Sequence, residues 1–146
     1  MRKQSTYLFN VFDDCLYFNL SSLTRSITDI WKIEFAKLGL SPSHGYLLFA
    51  MVESKGEQQK DYGEHLDLDA STVNRLVDSL VQKKLVAKEG AGRGSEVSVT
   101  AEGRREYRRI KKTMDNLRQK ISNSLGEKRF NQLVGDLVST RSALTR

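Results

Sequence analysis

The sequence predicts a mainly α-helical domain that carries one small β-hairpin. Three observations predict it. Apolar residues recur at steps of three and four through most of the chain. One short stretch alternates apolar and polar residues beside a glycine-rich pentapeptide. A single proline and no low-complexity tract leave no linker between folded parts. At 146 residues the whole chain, 1–146, is expected to be one domain.

The elements follow in order. From Phe12 the series Leu16, Leu20, Leu23, Ile27, Ile30, Trp31, Phe35, Leu38 forms one face of a long helix that Gly39 can end. Ser41 and Pro42 supply an N-cap and a first-turn proline for a second helix, whose apolar face spans 46–52 and which Gly56 can stop. Residues 58–66 read as a short helix and Asp67-Leu68 as a tight connection. Asp69 is the N-cap of a helix with the stripe Val73, Leu76, Val77, Leu80, Val81. Residues 85–89 and 95–100 flank Gly90-Ala91-Gly92-Arg93-Gly94, and Val97 and Val99 alternate with Glu96 and Ser98, as in a half-exposed hairpin strand. Thr100 can cap a long helix carrying Tyr107, Ile110, Met114, Leu117 and Ile121 that ends near Gly126. A last helix carries Phe130, Leu133, Val134, Leu137, Val138 and Leu144.

The net charge of +6 makes polyanions plausible partners without naming one. The positive excess lies beyond residue 100, whereas 61–100 is net acidic, so a nucleic-acid reading must rest on patterned residues and not on bulk charge. One cysteine, Cys15, excludes an internal disulfide framework and a cysteine-based structural zinc site, and fits a reducing compartment. Asp13 and Asp14 interrupt the N-terminal apolar residues too early for a signal peptide or a membrane span. The expected location is the cytoplasm, with no membrane partner.

Residues 60–82 have the layout of a helix-turn-helix: a short helix, a tight turn, then a helix whose non-apolar side carries Ser71, Thr72, Asn74, Arg75, Asp78, Ser79 and Gln82. A helix entering a major groove needs short or forked polar groups near its N-terminal end. Asn and Arg there make paired bonds to base edges, while hydroxyls and backbone amides hold phosphates. Lys60, Ser71, Thr72, Asn74, Arg75 and Ser79 are the candidate contacts. An amphipathic helix with a solvated polar face has the same periodicity. The hairpin that follows bears on the choice, because a β-ribbon with a protruding Arg, here Arg93, can reach a neighbouring minor groove. An ordinary surface hairpin would use its glycines for turn geometry alone.

The stretch DASTVNRLVDSLVQKKLVAKEG, residues 69–90, followed by GRGSEVSVTAEG, residues 92–103, resembles the recognition helix, wing and wing-to-helix junction of the MarR-type winged helix-turn-helix regulators. The resemblance runs over about 16–144 and is specific as an ordered whole. It implies a DNA-binding lobe over about 40–102, with about 8–38 and 103–146 as dimerisation helices. It places Ser71, Thr72, Asn74 and Arg75 at major-groove positions and Arg93 at the minor-groove wing position. Two departures stand out. The family's wing carries an acidic residue followed by two basic ones, and here Ala91, Gly92 and Arg93 stand there. The family often has Gly after the recognition helix, where Lys84 in a left-handed cap would cost about 1 kcal/mol.

The terminal helices have more apolar surface than one small core covers, so a homodimer is expected, as the resemblance also implies. Two-fold symmetry would set two recognition helices about 34 Å apart on a pseudo-palindromic duplex. The resemblance further implies a repressor released by a small lipophilic or phenolic effector, and Trp31, His44 and Tyr46 are candidates to border its pocket. Cys15 is a candidate redox sensor, since the family's one-cysteine hydroperoxide sensors keep their thiol near the start of the first helix. The alternative is a small buried residue, and Asp13 and Asp14 oppose thiolate formation. Arg104, Arg105, Arg108, Arg109, Lys111 and Lys112 form either a phosphate-contacting shoulder or a solvated face paired with Glu102 and Glu106. His44 and His65 fit no metal motif. No phosphate loop, nucleophile triad or supported carboxylate pair is present, so no catalytic residue, metal or cofactor is expected. Rival readings are an adaptor or architectural factor without sequence readout, and an enzyme that would carry an unexpected metal or cofactor.

Overall fold

A computed structural model describes residues 12–54, 59–90 and 96–145, with the side chains of 59–61 outside the description. The elements are α1 (Leu16–Ala36), α2 (Pro42–Glu53), α3 (Gln59–Leu66), α4 (Ala70–Gln82), β1 (Val86–Glu89), β2 (Glu96–Val99), α5 (Ala101–Leu125) and α6 (Glu127–Leu144). The expected order holds. The long helix expected from Phe12 is interrupted: Phe12 and Asp13 are helical, but the helix α1 begins anew at Leu16, because Cys15 takes an extended conformation and its Sγ accepts the Phe18 N–H at 3.5 Å. The apolar series from Phe12 runs through this cap without registering it.

Local chemistry explains the other boundaries. Ser41, Asp69 and Thr100 each accept a first-turn amide from His44, Thr72 and Gly103, satisfying donors that a helix start leaves unpaired. Pro42 stands in the first turn of α2, where no intrahelical N–H is needed. Gly39 and Gly126 take positive φ at the ends of α1 and α5. Lys84 does so after α4, at φ +61°, which is the left-handed conformation expected there.

Helix α2 lies at the centre, packed against α1, α3, α4, α5 and β2. The core gathers Phe35 from α1, Leu47 and Leu48 from α2, Val73, Val77 and Leu80 from α4, and Ile110 and Leu117 from α5. Two glycines allow close approach. A Cβ on Gly45 would stand 2.1 Å from the Phe35 ring, and one on Gly103 would stand 2.0 Å from the Leu85 carbonyl oxygen. The second contact seats the start of α5 against the root of the hairpin.

The hairpin is antiparallel, pairing Val86 with Val99, Ala87 with Ser98, Lys88 with Val97, and Glu89 with Glu96. Its root is apolar and its outer rung sets two carboxylates face to face. Helix α6 packs on α5 and has no buried residue; Val134, Leu137, Val138 and Leu144 are all exposed. Helix α1 likewise exposes Leu16, Tyr17, Phe18, Leu23 and Ile33.

Candidate nucleic-acid interface

Helices α3 and α4 are joined by a tight turn in which Asp67 takes φ +52° and the Leu68 N–H donates to the Gly63 carbonyl at 2.9 Å. Helix α4 turns Val73, Val77 and Leu80 into the core. The opposite ridge, at the helical spacing 71–75–78–82, carries Ser71, Arg75, Asp78 and Gln82, all exposed. Asn74 is exposed on one flank, and Thr72 and Ser79 are half-buried on the other. Five of the expected contacts thus share one side of a helix, while the Lys60 side chain and Arg93 lie outside the described residues.

The start of α4 is tied together by Asp69. Its Oδ1 accepts the Thr72 N–H at 2.9 Å and the Ser71 hydroxyl at 2.5 Å, and its Oδ2 accepts the Thr72 hydroxyl at 2.7 Å. The Ser71 and Thr72 hydroxyl bonds hold the Asp69 carboxyl far below the usual carboxylate range, with the Thr72 amide adding to them. The Thr72 amide and both hydroxyl protons are already engaged, and a fixed negative charge stands beside them. Arg75 folds back on its own helix, with Nε 3.4 Å from the Ser71 carbonyl oxygen and Nη2 3.4 Å from Ser71 Oγ.

Two ties from α4 were not legible beforehand. Lys88 of β1 bridges to Asp78 at 3.4 Å, linking hairpin to helix. Lys83 donates to the Gly39 carbonyl at 3.0 Å, linking the helix end to the α1–α2 turn. A third contact reaches the helix-turn-helix from the far end of the chain, where Arg141 of α6 lies 3.2 Å from Asp67. On α5, Arg105 and Arg109 pair with Glu102 and Glu106, as the solvated-face reading expected. Arg104, Arg108, Lys111 and Lys112 have no acidic partner among the described residues and share the solvent side of the helix.

The three proposed pocket residues divide. Trp31 Nε1–H donates to the Tyr46 hydroxyl at 3.1 Å, and Tyr46 stacks on Phe35 with ring centroids 6.2 Å apart. His44, two residues away along α2, projects elsewhere: its Nδ1 lies 2.6 Å from Ser41 Oγ. Burial lowers the His44 pKa below the ordinary histidine value, and the Lys83 charge lowers it further. Cys15 is half-buried, and among the described residues its thiol bonds only the Phe18 amide; Tyr17 points into solvent. No group of three or more His, Cys, Asp or Glu that could hold a metal occurs among the described residues, and no described helix is long and apolar enough to cross a membrane.

Residues 38–94 match the model of the MarR family. No curated protein matches the chain in sequence. Solved structures share its fold. The MepR–DNA complex of S. aureus is 17% identical with a TM-score of 0.77, over 88% of this chain and 98% of that one. CouR from Rhodococcus jostii RHA1 bound to p-coumaroyl-CoA is 23% identical with a TM-score of 0.75, over 92% and 96%. The PcaV transcriptional regulator from Streptomyces coelicolor, in complex with its natural ligand, is 21% identical with a TM-score of 0.74, over 92% and 96%. The segment 38–94, holding α2, the helix-turn-helix and the first hairpin strand, is thus similar to the MarR family model, and the whole chain shares the fold of these solved structures.

Proposed function

We propose that this MarR-type regulator binds a pseudo-palindromic duplex as a homodimer, reads it with α4, and acts as a repressor released by a small lipophilic or phenolic ligand. The observation that carries the reading is the exposed polar side of α4, where Ser71, Asn74 and Arg75 stand clear of the core within five residues of the helix start. The unpaired apolar residues of α1 and α6 support a second copy as their cover. Ligand release is supported by the likeness to regulators solved with bound small molecules. The Arg141–Asp67 bridge gives the terminal helices a direct hold on the helix-turn-helix, so a ligand that shifts one against the other changes half-site spacing.

The test is selection of bound duplexes from a randomised pool, followed by Arg75→Ala. The variant is expected to lose about 1–3 kcal/mol on the selected site and to relax preference at one base pair per half-site, with little loss on random DNA. Equal loss on both, or no enriched sequence at all, favours the architectural reading. A monomer at micromolar concentration in sedimentation removes the dimer.

A further inference from the structure

We propose that Asp69 sets the hydrogen-bond polarity with which α4 meets the bases: it takes the hydroxyl protons of Ser71 and Thr72, so both side chains face the groove as acceptors. The inference rests on the proposed DNA-reading role of α4. A hydroxyl owns one proton and two lone pairs. Both protons are committed to one carboxylate, at 2.5 Å for Ser71 and 2.7 Å for Thr72. Bonds to an ionised acceptor are about twice as strong as bonds between neutral groups. The neutral acceptors of guanine and thymine therefore compete poorly for those protons. Phosphate could compete as an anion, but it would have to approach the Asp69 charge.

What remains outward is acceptor capacity. Thr72 Oγ1 keeps its lone pairs, and Ser71 Oγ keeps one beyond the Arg75 guanidinium at 3.4 Å. In the major groove, amino donors belong to adenine and cytosine alone, whereas guanine and thymine present only acceptors and adenine adds its N7 acceptor. The selected base on the contacted strand is therefore A or C. An aspartate that looks like an ordinary cap thus acts as a positioning residue for specificity.

The experiment compares wild type, Thr72→Val, Thr72→Ser, Ser71→Ala and Asp69→Asn on the same randomised duplex pool, with thermal melts alongside. Asparagine is as good an N-cap as aspartate. Its oxygen still takes the Thr72 amide, while its amino group now faces the Thr72 hydroxyl and sends that proton outward. In the expected result, wild type prefers A or C by about 3–10-fold at the base pair whose preference Thr72→Val erases. Thr72→Ser keeps that preference, and Asp69→Asn admits G or T at that position or flattens the preference below about 2-fold, while the protein still melts cooperatively with only a modest loss from the weaker cap bonds. The inference is overturned if wild type prefers G or T there, if Asp69→Asn leaves the preference as it was, or if neither Thr72→Val nor Ser71→Ala erases any preference from a protein that does select a site. A wild-type protein that enriches no sequence overturns the DNA-reading proposal itself, an outcome distinct from these.

Discussion

Replacing Gly103 by alanine should separate the wing from the body of the protein at a calculable cost. The new Cβ would stand 2.0 Å from the Leu85 carbonyl oxygen and 2.7 Å from Val99 Cγ1. Ordinary contact begins near 3.4 Å, so the strand root or the helix must retreat by about 1.4 Å along the carbonyl direction. The obstacle is backbone, which cannot swing aside as a side chain would. The same carbonyl accepts the Thr100 N–H at 3.1 Å, and the Thr100 hydroxyl is shared between it at 3.1 Å and the Lys84 carbonyl at 2.8 Å, so retreat also strains the residue that caps α5. Overpacking costs about 1–3 kcal/mol, and weakening one of these bonds adds about 1 kcal/mol. Alanine returns about 1 kcal/mol in helix propensity. The net loss is about 2 kcal/mol, or about 4–8 °C in melting temperature for a chain of this size. The assay is circular dichroism at one fixed protein concentration, with Gly135→Ala as control. Gly135 is exposed on α6, and an added Cβ would meet nothing within 4 Å, so that variant should gain about 1 kcal/mol. Gly103→Ala melting at or above wild type would refute the close-contact reasoning.

Other perturbations follow from the same geometry. Lys84→Gly should stabilise by about 1 kcal/mol, because φ +61° is strained for lysine and free for glycine, and urea unfolding would detect it. Tyr46→Phe removes the acceptor of the Trp31 indole and should cost about 1 kcal/mol. Trp31 is the only tryptophan, so a change in intrinsic fluorescence reports directly on that site. His44 has a lowered pKa, so the fold favours its neutral ring. Its contribution is fully present above the unfolded value of 6.5 and is lost as pH falls through the lower folded value. His44→Gln should therefore flatten the fall in melting temperature as pH drops below 6.5, and an unchanged slope would exclude the residue.

Much of the fold was legible because its determinants are local. Ser41, Asp69 and Thr100 each cap the helix they precede, and a cap is written in a few adjacent residues. The start of α1 was misplaced because Cys15 caps through sulfur, an acceptor too weak to register in a pattern of apolar steps. The polar side of α4 was legible from periodicity, but the direction of its hydroxyl protons was not, since that depends on the Asp69 rotamer. Asp67 gave no sign of its left-handed backbone, which arises from the tight passage between α3 and α4. Its bridge to Arg141 joins residues 74 positions apart, a separation only the folded chain can close.

The hairpin is secured unevenly along its described length. Its innermost rung pairs Val86, which is buried, with Val99, while its outermost rung opposes Glu89 to Glu96. Like charges across a ladder repel, so the ribbon is firm at its apolar root and weakened at its outermost described rung, beside which the exposed Lys88–Asp78 bridge still ties it to α4. Amide exchange should quicken from residue 86 toward 89, and a multivalent cation or an approaching polycation should slow it at the outer end alone.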